Sequence, residues 1–147
     1  MADEATQQML IDASPQRIWE VLTDFDDYRS WAHDLKSVTV VERDDEGRPR
    51  DVAFRAAAMG RSTSYTLRYD YDQAPEVLAW RLVKGDITRK LDGSYELRPL
   101  DDTPGRTEVT YHLAVDLLVP LPGFVKRRAE ARIVHTALRQ LRSHLEH

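Results

Sequence analysis

Three sets of side chains in this 147-residue chain could do chemistry. The first is aromatic. Phe54, Tyr65, Tyr69, Trp80, Tyr95 and Tyr111 recur in the apolar phase of alternating, β-type segments. Each alone reads as core packing. Together they would line a concave sheet with apolar walls and a few polar tips, which suits a flat or lipid-like ligand. Buried tyrosine hydroxyls need partners, and a ligand carbonyl can be one. Trp31 ends the turn Phe25-Asp26-Asp27-Tyr28-Arg29-Ser30-Trp31, whose aromatics share a face at intervals of three, and it joins the candidate binding set.

The second is Arg89, which falls in the phase of Leu91 and Tyr95 and is expected to point inward. An inward arginine must be paired. It reads either as an anchor for a ligand carbonyl or carboxylate, or as an ion pair at a strand end. Arg55 takes the phase opposite to Phe54 and is expected in solvent. The third is the basic run Lys126-Arg127-Arg128 beside Phe124, at the start of the last helical segment. Positive charge there opposes the helix dipole. It is either a solvated ridge or a site of attraction to an anionic ligand or lipid head group, with Phe124 and Arg128 as candidate contacts.

Other chemistry finds little support. There is no phosphate-cradling glycine loop. The nearest approach to a nucleophile elbow, Gly60-Arg61-Ser62-Thr63-Ser64, sits where a hairpin turn is expected. With no cysteine and no metal-ligand spacing among His33, His112, His135, His144 and His147, neither metal nor cofactor is expected. His33 and His112 read as ordinary surface or partly buried histidines. Asp24, Asp26, Asp27 and Asp34 could be an acid/base pair or a cation site. They read better as helix caps and a solvated face, with Asp24 and Asp27 in capping positions. No inward histidine or carboxylate stands out as a base.

These side chains need a scaffold. Residues 1–144 are expected to form one domain, and Leu145-Glu146-His147 resemble the start of an expression tag. The net charge of −4 argues against nucleic-acid binding. Mean hydropathy is −0.55, and the longest apolar runs fall short of a membrane span. With no secretory signal pattern, a cytoplasmic protein is expected. The charge is uneven: from Leu121 onward six basic residues stand against two acidic ones.

Gln8 to Asp12 reads as a first strand. Ser14 and Pro15 are an N-cap and first helical residue, and Ile18, Val21 and Leu22 form a helical stripe. Six alternating segments follow, broken at Asp44–Gly47, Asp72–Pro75, Lys84–Asp86 and Asp101–Gly105, as an antiparallel meander requires. After Pro120-Leu121-Pro122-Gly123, the residues Ala131, Val134, Leu138, Leu141 and Leu145, with Ile133 and Ala137 beside them, mark a long amphipathic helix. Its stripe and the apolar sheet face must bury each other.

This order resembles the α+β helix-grip fold of the START/Bet v 1-like (SRPBCC) superfamily, and within it the polyketide cyclase/dehydrase-like and Coq10-like group. The resemblance rests on Ala13-Ser14-Pro15 before Ile18-Trp19, Thr23-Asp24-Phe25 with Tyr28 and Trp31, the turn at Asp44 to Arg48, Gly105 to Tyr111, and Leu121-Pro122-Gly123. It implies about seven strands around a C-terminal helix, and a cavity for a small hydrophobic molecule such as a lipid, quinone or polyketide. The first expectation is a binding or transport protein. The second is a cofactor-independent aromatase/cyclase or dehydratase using Tyr65, Arg89 and Tyr111. The third is a protein-interaction module docking through Phe124, Val125 and the basic ridge.

Overall fold

The computed structural model describes residues 3–58, 61–100, 105–118 and 123–146, with side chains left out at 3, 58, 61 and 123–129. Strand β1 (Asp3–Ile11) leads into helix α1 (Pro15–Thr23) and a 3-10 turn (Phe25–Ser30). Six strands follow: β2 (Leu35–Arg43), β3 (Pro49–Ala58), β4 (Arg61–Asp70), β5 (Val77–Gly85), β6 (Thr88–Pro99) and β7 (Thr107–Leu117). Helix α2 (Gly123–Leu145) closes the order. All pairings are antiparallel in one seven-stranded sheet, β1-β7-β6-β5-β4-β3-β2. This is the helix-grip arrangement.

Local chemistry sets the ends of the elements. The Ser14 hydroxyl accepts from the Arg17 N–H at 3.2 Å, which stabilises the start of α1 by about 1 kcal/mol. Thr107, fully buried, donates to the Ala13 carbonyl at 2.7 Å and ties that start to β7. At the β2–β3 turn the Asp44 carboxylate accepts from the Glu46 and Arg48 N–H groups, and Gly47 takes φ +82°.

The first strand is longer than Gln8–Asp12, because all nine residues from Asp3 to Ile11 pair with β7. Gln7 breaks the apolar alternation, so its inward placement is invisible to a hydrophobic pattern. It shares a 2.9 Å hydrogen bond with His135 of α2. Asp24 does not cap the second helix with its carboxylate. It ends α1 and starts the 3-10 turn at once, and its backbone carbonyl takes the Asp27 N–H at 3.1 Å.

Helix α2 packs on β1 and β7 through Val134, Leu138 and Leu141, all essentially inaccessible to solvent. Leu145 is buried in the same core, and the Glu146 carboxylate accepts from the Asp12 N–H at 3.0 Å. Both lie in the segment read from sequence as tag-like. No helix among the described residues is long and apolar enough to cross a membrane.

Candidate functional site

Between the concave sheet and α2 lies a cavity of about 510 Å³. That is within the usual range for small-molecule sites. The sheet builds it from facing pairs. Phe54 on β3 sits opposite Tyr65 on β4, and the rings stack at 5.4 Å. Tyr69 on β4 faces Trp80 on β5, at 5.8 Å between centroids. Tyr95 on β6 faces Tyr111 on β7 at 4.5 Å, and Trp80 bridges to both. Trp31 comes in from the 3-10 turn, 5.0 Å from the Tyr28 ring.

The seven aromatics of the candidate binding set, Trp31 included, line this cavity. A glycine makes the Trp80 position accessible. Gly93 stands opposite Trp80 across β5 and β6, and the indole lies where a side chain at 93 would be. Alternation alone does not pick out this glycine.

The tyrosines divide into two kinds. Tyr28 and Tyr71 donate their hydroxyls to the backbone carbonyls of Leu22 and Pro49 and are structural. The hydroxyls of Tyr65, Tyr69, Tyr95 and Tyr111 have no hydrogen-bond partner among the described residues and belong to the cavity wall. Burial pushes the Tyr65 hydroxyl up to about 12. It raises Tyr69, Tyr95 and Tyr111 further still, with neighbouring tyrosines adding to the effect. At neutral pH these groups are neutral donors and acceptors, not tyrosinate bases.

Arg89 departs from its expected place. It is 67% exposed on the outer face, 4.0 Å from Asp116. The register of β6 on β7 slips between Thr88 and Lys90. This bulge lets Thr88 and Leu91, three residues apart, both line the cavity, and it turns Arg89 outward. An extra residue in one strand inverts the phase of everything beyond it.

A carboxylate does face inward. Glu130 is 2% exposed and lines the cavity from α2. Its spacing to Val134, Leu138, Leu141 and Leu145 puts it on the buried stripe, a signal present in the sequence. Asp34 and Arg132, both exposed, mark the rim. Asp24, Asp26 and Asp27 stay in solvent, as do His33 and Arg55. His112 lies on the face away from the cavity, 2.7 Å from the Thr6 hydroxyl. In the elbow-like segment, Gly60 lies outside the described residues, and the Thr63 hydroxyl donates to Asp86 at 2.7 Å. The side chains of Phe124, Lys126, Arg127 and Arg128 also lie outside the described residues, although the backbone there is helical.

Comparisons with known proteins agree with this architecture. A START superfamily protein from Mycobacterium smegmatis superimposes with a TM-score of 0.91 at 22% identity, over 97% of each chain. The Zhui aromatase/cyclase from a Streptomyces species matches 99% of this chain and 94% of its own, with a TM-score of 0.82 at 18% identity. Ara h 8.0201 matches over 99% and 98%, with a TM-score of 0.70 at 13% identity. Likenesses at these identities show the fold. None of the curated proteins matches the chain. The family model described as polyketide cyclase / dehydrase and lipid transport matches residues 2–146. A seven-stranded sheet wrapped on a C-terminal helix, matched from end to end by that model, makes this chain a member of the polyketide cyclase/dehydrase and lipid-transport family.

Proposed function

We propose that this protein binds a small hydrophobic molecule with oxygen acceptors, of the polyketide, quinone or lipid kind, and holds or carries it in the cavity. The observation that carries the reading is the 510 Å³ aromatic cavity with four neutral tyrosine hydroxyls in its wall. Stacked rings supply apolar contact area at low conformational cost, and hydroxyls orient the oxygens of the guest. Native mass spectrometry of freshly purified protein, beside its denatured mass and an organic extract, tests it. A bound mass that leaves on denaturation supports a carrier. No uptake from a panel of aromatic ketones, quinones and lipids rejects the reading.

Glu130 favours a second reading, cyclisation or dehydration of a poly-β-ketone. A carboxylate in the wall can take a proton from the carbon between two carbonyls, while a tyrosine O–H donates to the enolate oxygen. The enolate carbon then attacks a second carbonyl of the same chain and forms the C–C bond. The resulting alkoxide takes the proton back, and loss of water gives the unsaturated ring. The cavity contributes mainly by folding the chain so that the two carbons meet. Product analysis with a poly-β-ketone thioester tests this reading, and a product pattern identical to that without protein rejects it.

A further inference from the structure

The strand register gives the cavity a closed end and a mouth. Along β6 and β7, Tyr95 faces Tyr111, Gly93 faces Leu113, Leu91 faces Val115 and Thr88 faces Leu117. The row before the tyrosines, Leu97 and Val109, belongs to the packed core. In the other direction burial falls away. Tyr111, Leu113 and Val115 are buried, Leu117 is half-buried and Leu118 is 50% exposed. Helix α2 follows the same axis. His135 bonds Gln7, which stands opposite Tyr111, and Glu146 bonds Asp12, past the Ile11–Thr107 row. The helix therefore runs toward the closed end, and Ile133 lies on the mouth side of His135.

The two ends differ in chemistry. At the closed end Tyr95 and Tyr111 surround Trp80, with ring centroids 4.5–5.7 Å apart. Their hydroxyls have no partner among the described residues, and packing does not seal them, so they open onto the cavity they line. Outward along β6 and β7 the wall turns aliphatic. Leu91, Leu117 and Ile133 all line the cavity, and all keep part of their surface in solvent. From Tyr111 to Leu117 this track runs about 20 Å, at about 3.3 Å per residue, which is longer than a ring guest can cover.

We infer that the cavity takes a ring–chain amphiphile ring first, with an oxygenated flat ring at Tyr95, Tyr111 and Trp80 and an aliphatic chain running out past Leu91, Leu117 and Ile133. The inference rests on the proposed binding function and names the class and orientation of the guest. The reverse arrangement puts the chain inside and a polar head beside the rim charges Asp34 and Arg132. It would set methylenes against the tyrosine hydroxyls, leaving those groups unpaired, and would leave the aliphatic track in water.

The test uses 1,4-naphthoquinones carrying a methyl, butyl or hexyl group at carbon 2; the chain has no cysteine for them to alkylate. Affinities are measured by equilibrium dialysis for the wild type, Tyr111→Phe and Leu117→Ser, with thermal melting as a check on folding. Wild-type affinity should rise about twofold to fourfold per methylene. Tyr111→Phe should weaken all three probes by one common factor, about threefold to tenfold, the worth of a hydrogen bond. Leu117→Ser should cut the gain from methyl to hexyl about fivefold. A Tyr111→Phe loss that vanishes for the hexyl probe overturns the inference, because the chain then occupies the closed end. A full methyl-to-hexyl gain in Leu117→Ser also overturns it. If Leu117→Ser does not fold, Ile133→Ser, at a residue 45% exposed, is judged by the same criterion. Wild-type binding of the methyl probe with no gain from longer chains leaves the binding function standing and removes this inference. Binding of none of the probes removes both.

Discussion

The Trp80 indole lies over Gly93 so closely that a Cβ at position 93 would stand 2.7 Å from Cζ2 of Trp80 and 2.5 Å from the His112 carbonyl oxygen. One obstacle is a large ring held in the aromatic wall. The other is backbone of the neighbouring strand. Neither can yield cheaply. Gly93→Ala should cost about 3 kcal/mol, the upper end for overpacking, and lower the melting midpoint by about 6–12 °C. Denaturation of the variant checks this. A midpoint within about 2 °C of wild type would mean that the indole moves freely.

The tyrosines predict a response to alkali. All six are raised above their ordinary value, with burial as the leading cause, and Tyr65 and Tyr71 are pushed up to about 12. A hydroxyl whose pKa is higher in the folded chain keeps its proton more tightly there. Its stabilisation is complete below about pH 10 and is lost as pH rises through about 12. Unfolded protein at pH 10.5 should show about three-quarters of its tyrosines ionised by absorbance near 295 nm. Folded protein should show almost none until unfolding begins. A smooth native titration near pH 10 would count against the buried placements.

Filling the cavity should separate binding from folding. Ala137 is half-buried on α2 and lines the cavity. Ala137→Phe should weaken uptake of any cavity ligand about tenfold or more, while the melting midpoint holds or rises. Unchanged uptake, measured by dialysis, would place the ligand elsewhere.

Arg89 and Glu130 each give a prediction. Arg89→Ala should leave ligand affinity unchanged and stability within about 0.5 kcal/mol, since the side chain is exposed on the outer face. Glu130→Gln should spare ligand affinity within about twofold. In the cyclisation assay it should lower product formation about a hundredfold, the worth of a general acid–base group. Equal turnover by Glu130→Gln would end the acid–base reading while leaving the carrier reading intact.

The basic run at Lys126, Arg127 and Arg128 remains a proposal about lipid surfaces. Reversing Arg127 and Arg128 to Glu should reduce co-sedimentation with anionic vesicles and leave neutral vesicles unaffected. Equal sedimentation with anionic vesicles would support a solvated ridge.

Much of the architecture was legible because its causes are local. Ser14 and Pro15 start α1 through one capping bond and one fixed φ. Alternation in β3 to β7 sorts the aromatics onto one face, since strand side chains point to opposite sides in turn. The six strand aromatics that line the cavity share that phase, whereas Trp31 follows from the three-residue spacing of its turn. Glu130 was legible too, on the buried stripe of α2, but a charged residue is easily passed over in a search for apolar ones.

What the tertiary structure alone decided depends on neighbours distant in sequence. The outward turn of Arg89 comes from a bulge that exists only where β6 meets β7. The need for glycine at 93 comes from Trp80 and from the His112 backbone, on two different strands. The full length of β1 comes from its pairing with β7, more than ninety residues away. Sequence determines which face each residue prefers. Only strand register and helix docking decide whether the faces enclose a space, because an open cavity is a difference between surfaces that no single segment carries.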